Sequence, residues 1–241
     1  MIYFMTGTPG SGKSLHMAEI IYNDLRTGKN VIANFEINEP MVYTGRRVSK
    51  MGKFIYVPND DWLNNAYTSR TSIDPVSGKR IKGVVPEGCY SYLDGLYNFA
   101  LQYHKRNSRG QIIESQTLLV LDECQELFNT RTWNRKDRLK WAAFFRIHRH
   151  YGYDVYLISQ DDKVIDKQIR SILEHELEHR CVNNYKFFGR LLGLLCGGKL
   201  FVCIKKWYSK TGKAAHINSK FFVGRNKYYC LYDSYKTFAH G

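Results

Sequence analysis

The feature that most constrains this chain is a glycine-rich segment close to its amino terminus. Residues 7–14 fit the pattern G-x-x-x-x-G-K-[ST] at every defined position. A nearly continuous apolar run, residues 1–6, comes directly before the segment, and a helical pattern of apolar and charged residues follows it over residues 15–26. The order predicts a buried strand, a phosphate-binding loop and a helix, which begin an α/β fold.

This loop is predicted to hold the phosphates of ATP. Its members are Gly7, Thr8, Pro9, Gly10, Ser11, Gly12, Lys13 and Ser14. Glycine permits backbone conformations and close approaches that a β-carbon obstructs, so successive N–H groups can point inward at the positive end of the helix. We expect Lys13 to reach the β- and γ-phosphates and the Ser14 hydroxyl to bind Mg²⁺.

An acidic pair at the end of a second apolar run supplies the other half of the expected site. Residues 117–121 read as a buried strand, and Asp122 and Glu123 follow it. Asp122 is expected to hold Mg²⁺ directly or through water, and Glu123 to orient and deprotonate the attacking water as a general base. The alternative is a strand that ends in two solvated acids, but two motifs that agree on one site favour ATP hydrolysis.

The rest of the pattern predicts one ATPase domain over residues 1–241. We expect a core over about residues 1–180, with a long excursion over about 40–115 where prolines and glycines break the periodicity. A third buried strand is expected at 155–159. Helices are expected at 133–151 and 162–178, and strand-like runs at 200–208, 221–223 and 228–232 predict an antiparallel C-terminal extension over about 181–241.

Further polar residues follow these strands. Gln160 comes directly after the third strand, where it could sense the γ-phosphate; Ser159 is a neighbouring candidate, and helix capping is the alternative role for both. Among the arginines after the acidic pair, Arg131 and Arg149 are the first candidates for an arginine finger that acts on a neighbouring subunit. A solvated or phosphate-binding charge is the simpler interpretation of either.

The charge of the chain predicts a polyanionic partner. Lysine and arginine number 36 against 22 acids, a net charge of +14, which favours nucleic acid or an anionic membrane face; a solvated basic surface is the alternative. Residues 70–82 and 135–149 are the expected contributors to a path for single-stranded nucleic acid. In the apolar stretch 187–204 the uncharged part, 191–198, is far shorter than the roughly 20 residues of a membrane span.

The six cysteines favour neither a zinc cage nor a disulfide framework. They are scattered, and none forms a C-x-x-C pair. We expect buried free thiols in a reducing cytoplasm.

Taken together, the motifs resemble those of the N-terminal ATPase domain of the zonular occludens toxin-like (Zot) family, the assembly ATPases of filamentous phages. The matching segments are residues 1–14, 31–35, 118–123, 149–154, 157–160, 169–170 and 231–234. The resemblance implies an additional-strand P-loop NTPase, with a mainly parallel sheet flanked by helices, related to the FtsK–HerA motors. It also implies an oligomer at the cytoplasmic face of the bacterial inner membrane, where single-stranded phage DNA is extruded with coat and secretion proteins as partners. In that family a membrane-spanning helix usually follows this domain, and no such anchor is predicted within residues 1–241.

Two other functions stay open on the sequence alone. One is a different P-loop ATPase that packages or partitions DNA. The other is a scaffold or effector that binds ATP without turnover. The joint presence of Lys13, Asp122 and Glu123 favours an enzyme.

Overall fold

The computed structural model describes residues 1–43, 51–64, 72–73, 80–81, 92–132, 134–135, 137–184 and 198–232. The strands are β1 (Ile2–Thr6), β2 (Asn30–Ala33), β3 (Phe54–Tyr56), β4 (Ser72–Ile73), β5 (Arg80–Ile81), β6 (Thr117–Leu121), β7 (Tyr153–Ile158), β8 (His175–Cys181), β9 (Leu200–Trp207) and β10 (His216–Val223). The helices are α1 (Lys13–Arg26), α2 (Glu39–Tyr43), α3 (Asn59–Asn64), α4 (Tyr92–Tyr103), α5 (Arg138–Ile147), α6 (Lys167–Arg170) and α7 (Asn226–Tyr229).

One eight-stranded sheet organises the molecule. Its order is β10-β9-β8-β1-β7-β6-β2-β3, and β4 pairs with β5 in a separate antiparallel ladder. From β8 to β3 all neighbours are parallel, whereas β9 and β10 are antiparallel. The expected mainly parallel sheet with an antiparallel margin is therefore confirmed. Strand β7 lies between β1 and β6. It is the inserted strand that defines the additional-strand class.

The sheet is covered by helices on both faces. Side chains alternate between faces along each strand, so Phe4 packs in a cluster with residues of α4 and α5, while its neighbour Met5 packs in another with residues of α1. The strand β6 is buried at every position, as a parallel strand between two helical layers requires.

Two expected elements differ in the structure. The predicted helix over 162–178 is wrong, because only a short 3₁₀ helix (Asp162–Val164) and α6 are helical there, and β8 follows. The buried positions of β8 are His175, Leu177, His179 and Cys181. Two of these are histidines, which hide the period-two pattern of a strand. The expected strand over 228–232 is also wrong at its start, where α7 forms instead.

The segment expected as an excursion contributes to the central sheet. Strand β3 pairs in parallel with β2 at the edge of the sheet, and α4 buries Leu93, Leu96 and Ala100 in the core. Most of residues 70–82, expected along a nucleic-acid path, lie outside the described part of the chain. Among the residues that the structure describes, no helix is long and apolar enough to cross a bilayer.

The cysteines are free thiols in the described part of the chain. Cys124, Cys181 and Cys203 are buried as expected, whereas Cys230 is exposed. Cys89 and Cys196 lie outside the described residues.

Candidate active site

The glycine-rich segment forms a tight loop between β1 and α1. Gly7 has a φ of 140° and Gly12 a φ of 95°, values that side chains rarely tolerate. A Cβ at Gly7 would lie 2.5 Å from the backbone oxygen of His179, and one at Gly12 would lie 2.6 Å from Cδ1 of Phe201. Glycine is therefore required at both positions by conformation and by space.

The loop residues fit a triphosphate. Thr8, Pro9 and Gly10 are exposed at the mouth of the loop, and α1 has no acidic residue in its first turn to offset the positive end of its dipole. The Ser11 hydroxyl is buried beneath the loop, with no hydrogen-bond partner among the described residues. Ser14 is half-buried in the first turn of α1.

Lys13 extends back over the loop. Its Nζ donates hydrogen bonds to the carbonyl oxygens of Gly7, at 2.5 Å, and Thr8, at 3.2 Å. Burial lowers the pKa of Lys13, while the carboxylates of Asp122 and Glu123 act in the opposite direction. The ammonium group is therefore in the electrostatic field of both acids.

The register of the sheet explains why the loop and the acids meet. Leu157 of β7 pairs with Phe4 of β1 on one side and with Leu121 of β6 on the other. Phe4 and Leu121 are therefore in register across β7, and this is what we call the level register of β1 and β6. Both strands point the same way, and the loop and Asp122 emerge at the same edge. Two strand spacings separate them, roughly 10 Å.

Asp122 is held by hydrogen bonds on both carboxylate oxygens. Oδ1 accepts the backbone N–H of Glu123 at 2.9 Å, and Oδ2 accepts the hydroxyl of Tyr232 at 2.6 Å. Burial raises the pKa of Asp122, and these hydrogen bonds together with the nearby Lys13 charge oppose that rise. An oriented carboxylate facing a lysine is a suitable ligand for Mg²⁺, a hard cation that prefers oxygen.

The backbone of Asp122 is fixed by the next strand. Asn34, which follows β2, accepts the Asp122 N–H at 2.7 Å and donates to the Asp122 carbonyl at 2.7 Å. Its amide also donates to Oδ1 of Asn59 at 2.7 Å. This asparagine couples three segments at the carboxyl edge of the sheet.

Glu123 has an unusual backbone conformation. Its φ is 46°, in the left-handed region that residues other than glycine seldom adopt. Its Oε2 accepts a hydrogen bond from Nε2 of Gln125 at 2.5 Å. Strained conformations of this kind concentrate at functional sites. The strain is consistent with a Glu123 carboxylate held in a fixed orientation for the reaction.

Gln160 lies at the same edge as the loop and the acidic pair. It is exposed and directly follows β7, the strand between them. The capping role is filled by Asp161, whose side chain accepts the N–H of Lys163 at 2.9 Å. The Ser159 hydroxyl donates to the carbonyl of Asp161 at 3.1 Å. A γ-phosphate-sensing role for Gln160 stays a prediction.

The two arginine candidates lie in different places. Arg131 is exposed in a short 3₁₀ turn that follows the acidic segment. Arg149 forms an ion pair with Glu174, whose Oε1 accepts the N–H of Ile2 at the start of β1, at 3.2 Å. Arg149 is therefore at the amino edge of the sheet, opposite the loop. As an arginine finger it would have to act on the site of another subunit. Both finger assignments stay predictions.

Sequence reasoning missed the residues that support the acids. Asn34 carried a usable signal, because it is a polar residue directly after a buried strand. Tyr232 lies in the family-like segment 231–234, but no local pattern links it to Asp122, which is 110 positions away. A buried group of His16, His179 and Cys203 was also missed, because its members lie on three separate elements.

The loop, the carboxylate pair and the strand inserted between them define a P-loop NTPase of the additional-strand class. A family model described as zonular occludens toxin (Zot) matches residues 93–187, which include the acidic pair. The resemblance to the Zot family expected from the motifs is thereby confirmed.

Similar proteins agree with that resemblance. The chain is 27% identical over 244 residues to the Gene 1 protein of Enterobacteria phage M13, covering 98% of this chain and 59% of that protein. A shorter match, 33% identical over 131 residues, is to the Gene 1 protein of Enterobacteria phage I2-2, covering 51% of this chain and 35% of that protein. The chain thus spans less than two thirds of the length of these relatives.

The chain also aligns with a solved structure. The N-terminal domain of zonular occludens toxin from Neisseria meningitidis aligns with a TM-score of 0.47 and 17% identity, covering 96% of this chain and 98% of that one.

Proposed function

We propose that this chain hydrolyses ATP to ADP and phosphate to drive the assembly and export of filamentous phage. The observation that carries the enzymatic part is the level register of β1 and β6, which brings Lys13 into the field of Asp122 and Glu123. The Zot family match and the similarity of 98% of this chain to the Gene 1 protein of phage M13 support the phage role.

Each residue of the site has a proposed role. The backbone N–H groups of the loop, which Pro9 lacks, and the Lys13 ammonium bind the phosphates. Ser14 and Asp122 would hold Mg²⁺, which would supply positive charge to the phosphates. Glu123 accepts the proton of the water whose oxygen forms a bond to the γ-phosphorus as the bond to the leaving ADP oxygen breaks. Gln160, and an arginine such as Arg131 or Arg149 from a second subunit, complete the proposed site.

The proposed place of work is the cytoplasmic face of the bacterial inner membrane. Single-stranded DNA is the proposed partner, and the net charge of +14 supports an anionic one. We propose a homo-oligomer that acts with coat and secretion proteins, and a single domain over residues 1–241.

A Glu123→Gln variant tests the enzymatic proposal. The change keeps the shape of the side chain but removes the base, so ATP should still bind while turnover falls about 100-fold or more. Glu114→Gln is the matched control, because it removes the same charge from an exposed residue before β6. Unchanged turnover in the Glu123 variant would remove this residue from the mechanism.

The DNA-handling proposal needs its own measurement. The affinity of the wild-type chain for a single-stranded oligonucleotide should fall steeply with added salt, because bound counterions are released. The ATPase rate per subunit should rise with protein concentration and with DNA. A salt-independent affinity and a flat, DNA-insensitive rate would instead favour a different P-loop ATPase. Absence of turnover in the wild type would favour the non-hydrolysing scaffold.

A further inference from the structure

We propose that His16, His179 and Cys203 form a structural binding site for a Zn²⁺-like cation behind the phosphate-binding loop. The three residues come from α1, β8 and β9, and each offers one ligand atom. These atoms all lie within 4.8 Å of one another, and the three residues are 7%, 1% and 4% exposed. Three such donors converging in a protein interior distinguish this group from an ordinary surface cluster.

The orientation of His179 suits metal binding. Its Nδ1 lies 2.9 Å from the carbonyl oxygen of Leu177, and only a protonated Nδ1 can donate to that oxygen. The lone pair of Nε2 then faces Nδ1 of His16, 2.8 Å away. A histidine ligand whose other nitrogen donates to a backbone carbonyl is the usual arrangement in metal sites, because the carbonyl fixes both tautomer and ring orientation.

The donor set selects the class of cation. Two imidazole nitrogens and one thiolate sulfur suit Zn²⁺ and other borderline or soft transition-metal ions, whereas Mg²⁺ prefers oxygen ligands. This site is therefore chemically distinct from the Mg²⁺ position proposed at Ser14 and Asp122. A tetrahedral zinc ion sets nitrogen ligands about 3.3 Å apart, so the two rings need to separate by only about half an ångström.

The protonation states of the three groups are compatible with this assignment. Burial lowers the pKa of His16 to about 3 and that of His179 to about 4, so both rings are neutral at physiological pH, as ligands must be. Burial raises the pKa of Cys203 to about 11, an effect opposed by Lys220 and Lys205. On binding, the cation would take the place of the thiol proton, which goes to solvent. It would also take the place of the proton on Nδ1 of His16; Nε2 of the same ring gains a proton as Nδ1 loses one, so both rings stay neutral and one proton per ion is released.

The position of the site gives it a structural consequence. His16 lies one turn into α1, and the carbonyl oxygen of His179 abuts Gly7. Phe201, two residues before Cys203 on the same strand, abuts Gly12. A cation bound here would join the helix of the loop to β8 and to the antiparallel margin of the sheet. It would stabilise the elements that surround the phosphate-binding loop, and it would make no contact with the nucleotide.

Metal binding to the full chain without an affinity tag tests the proposal. Protein stripped with a chelator is titrated with Co²⁺, which reports a thiolate ligand through a near-ultraviolet charge-transfer band, and with Zn²⁺ in competition. We expect one ion per chain for the wild type. Cys203→Ala should lose the band and bind Zn²⁺ at least tenfold more weakly.

Cys181→Ala is the matched control, because Cys181 is also a buried free thiol but is not part of the cluster. It should bind Co²⁺ and Zn²⁺ as the wild type does. Two results would overturn the proposal: no stoichiometric binding of metal by the wild type at micromolar concentration, or equal binding by Cys203→Ala and the wild type. Either would mean that the core holds only a neutral histidine pair.

A second measurement covers the case in which Cys203→Ala fails to fold. X-ray absorption of the zinc-loaded wild type should show one sulfur and two imidazole nitrogens around the ion. A first shell without sulfur, or with several sulfurs, would contradict the assigned ligands.

Discussion

The hydroxyl of Tyr232 donates a hydrogen bond to Oδ2 of Asp122, with 2.6 Å between the two oxygens. The other oxygen of Asp122 accepts the N–H of Glu123. A residue near the carboxyl end of the described chain therefore fixes the carboxylate that is proposed to hold Mg²⁺. Its ring also packs against Phe35, with 4.1 Å between the ring centroids. We therefore propose Tyr232 as a positioning residue, because it would act on the proposed Mg²⁺ site through Asp122.

Removing this hydroxyl should weaken the response to Mg²⁺ more than the binding of nucleotide. In Tyr232→Phe we expect the Mg²⁺ concentration for half-maximal ATP turnover to rise about tenfold, since supporting partners of metal ligands typically contribute that much. Tyr228→Phe is the control, because Tyr228 is a buried tyrosine of the same segment that packs against Tyr22. Equal Mg²⁺ dependence in the two variants would show that Tyr232 only fills space.

The two loop glycines Gly7 and Gly10 should differ in their tolerance of alanine. A Cβ at Gly7 meets the backbone of His179, whereas one at Gly10 meets nothing within 4 Å. Both residues have positive φ, so each substitution costs on the order of 1–3 kcal/mol of backbone strain. Gly7→Ala adds a backbone clash and should lower the thermal midpoint much further, as a melting curve would show. Equal midpoints would mean that the loop shifts freely.

His148 should make the fold sensitive to acid. Burial lowers its pKa to about 4, with the amino terminus and Arg149 acting in the same direction and Glu174 opposing them. In the unfolded chain its pKa is about 6.5, so between these values the unfolded state binds the extra proton. The stability contribution is complete above about pH 6.5 and is lost as the pH falls towards 4, at up to about 1.4 kcal/mol per pH unit.

His148→Asn isolates this contribution. Asparagine can keep a donor to the carbonyl of Phe145, which lies 2.6 Å from Nδ1 of His148, but it cannot titrate. Unfolding curves at several pH values should show a shallower acid dependence for this variant than for the wild type. His150→Asn, an exposed histidine of the same turn, should change little. Parallel slopes for all three proteins would refute this role for His148.

The parts of the site that sequence predicts best are those encoded by contiguous residues. The loop over residues 7–14 and the pair Asp122-Glu123 each follow an apolar run, and a parallel sheet brings the ends of such runs to one edge. Sequence also placed Gln160 after a strand, and that strand proved to lie between the other two. The level register of β1 and β6 is a property of the folded sheet and could not be read from spacing.

The parts that escaped prediction depend on long-range packing. Tyr232 and Asn34 reach Asp122 across 110 and 88 positions, so no local pattern connects them. Strand β8 was not predicted because histidines occupy two of its buried positions. Histidine counts as polar in a hydrophobicity pattern, so the alternation of apolar and polar residues was not visible. The same two facts concealed the cluster of His16, His179 and Cys203, whose members meet only when β8 and β9 pair beside α1.

The central claim is that Lys13 and the carboxylate pair form one nucleotide site. It is tested most directly by measuring the affinity for ATP with Mg²⁺ in Lys13→Ala, with the exposed Lys163→Ala as control. Charge-assisted hydrogen bonds contribute about 1.5–3 kcal/mol, so the Lys13 variant should bind ATP roughly 10- to 150-fold more weakly while the control binds as the wild type does. Unaltered affinity in Lys13→Ala would contradict the account.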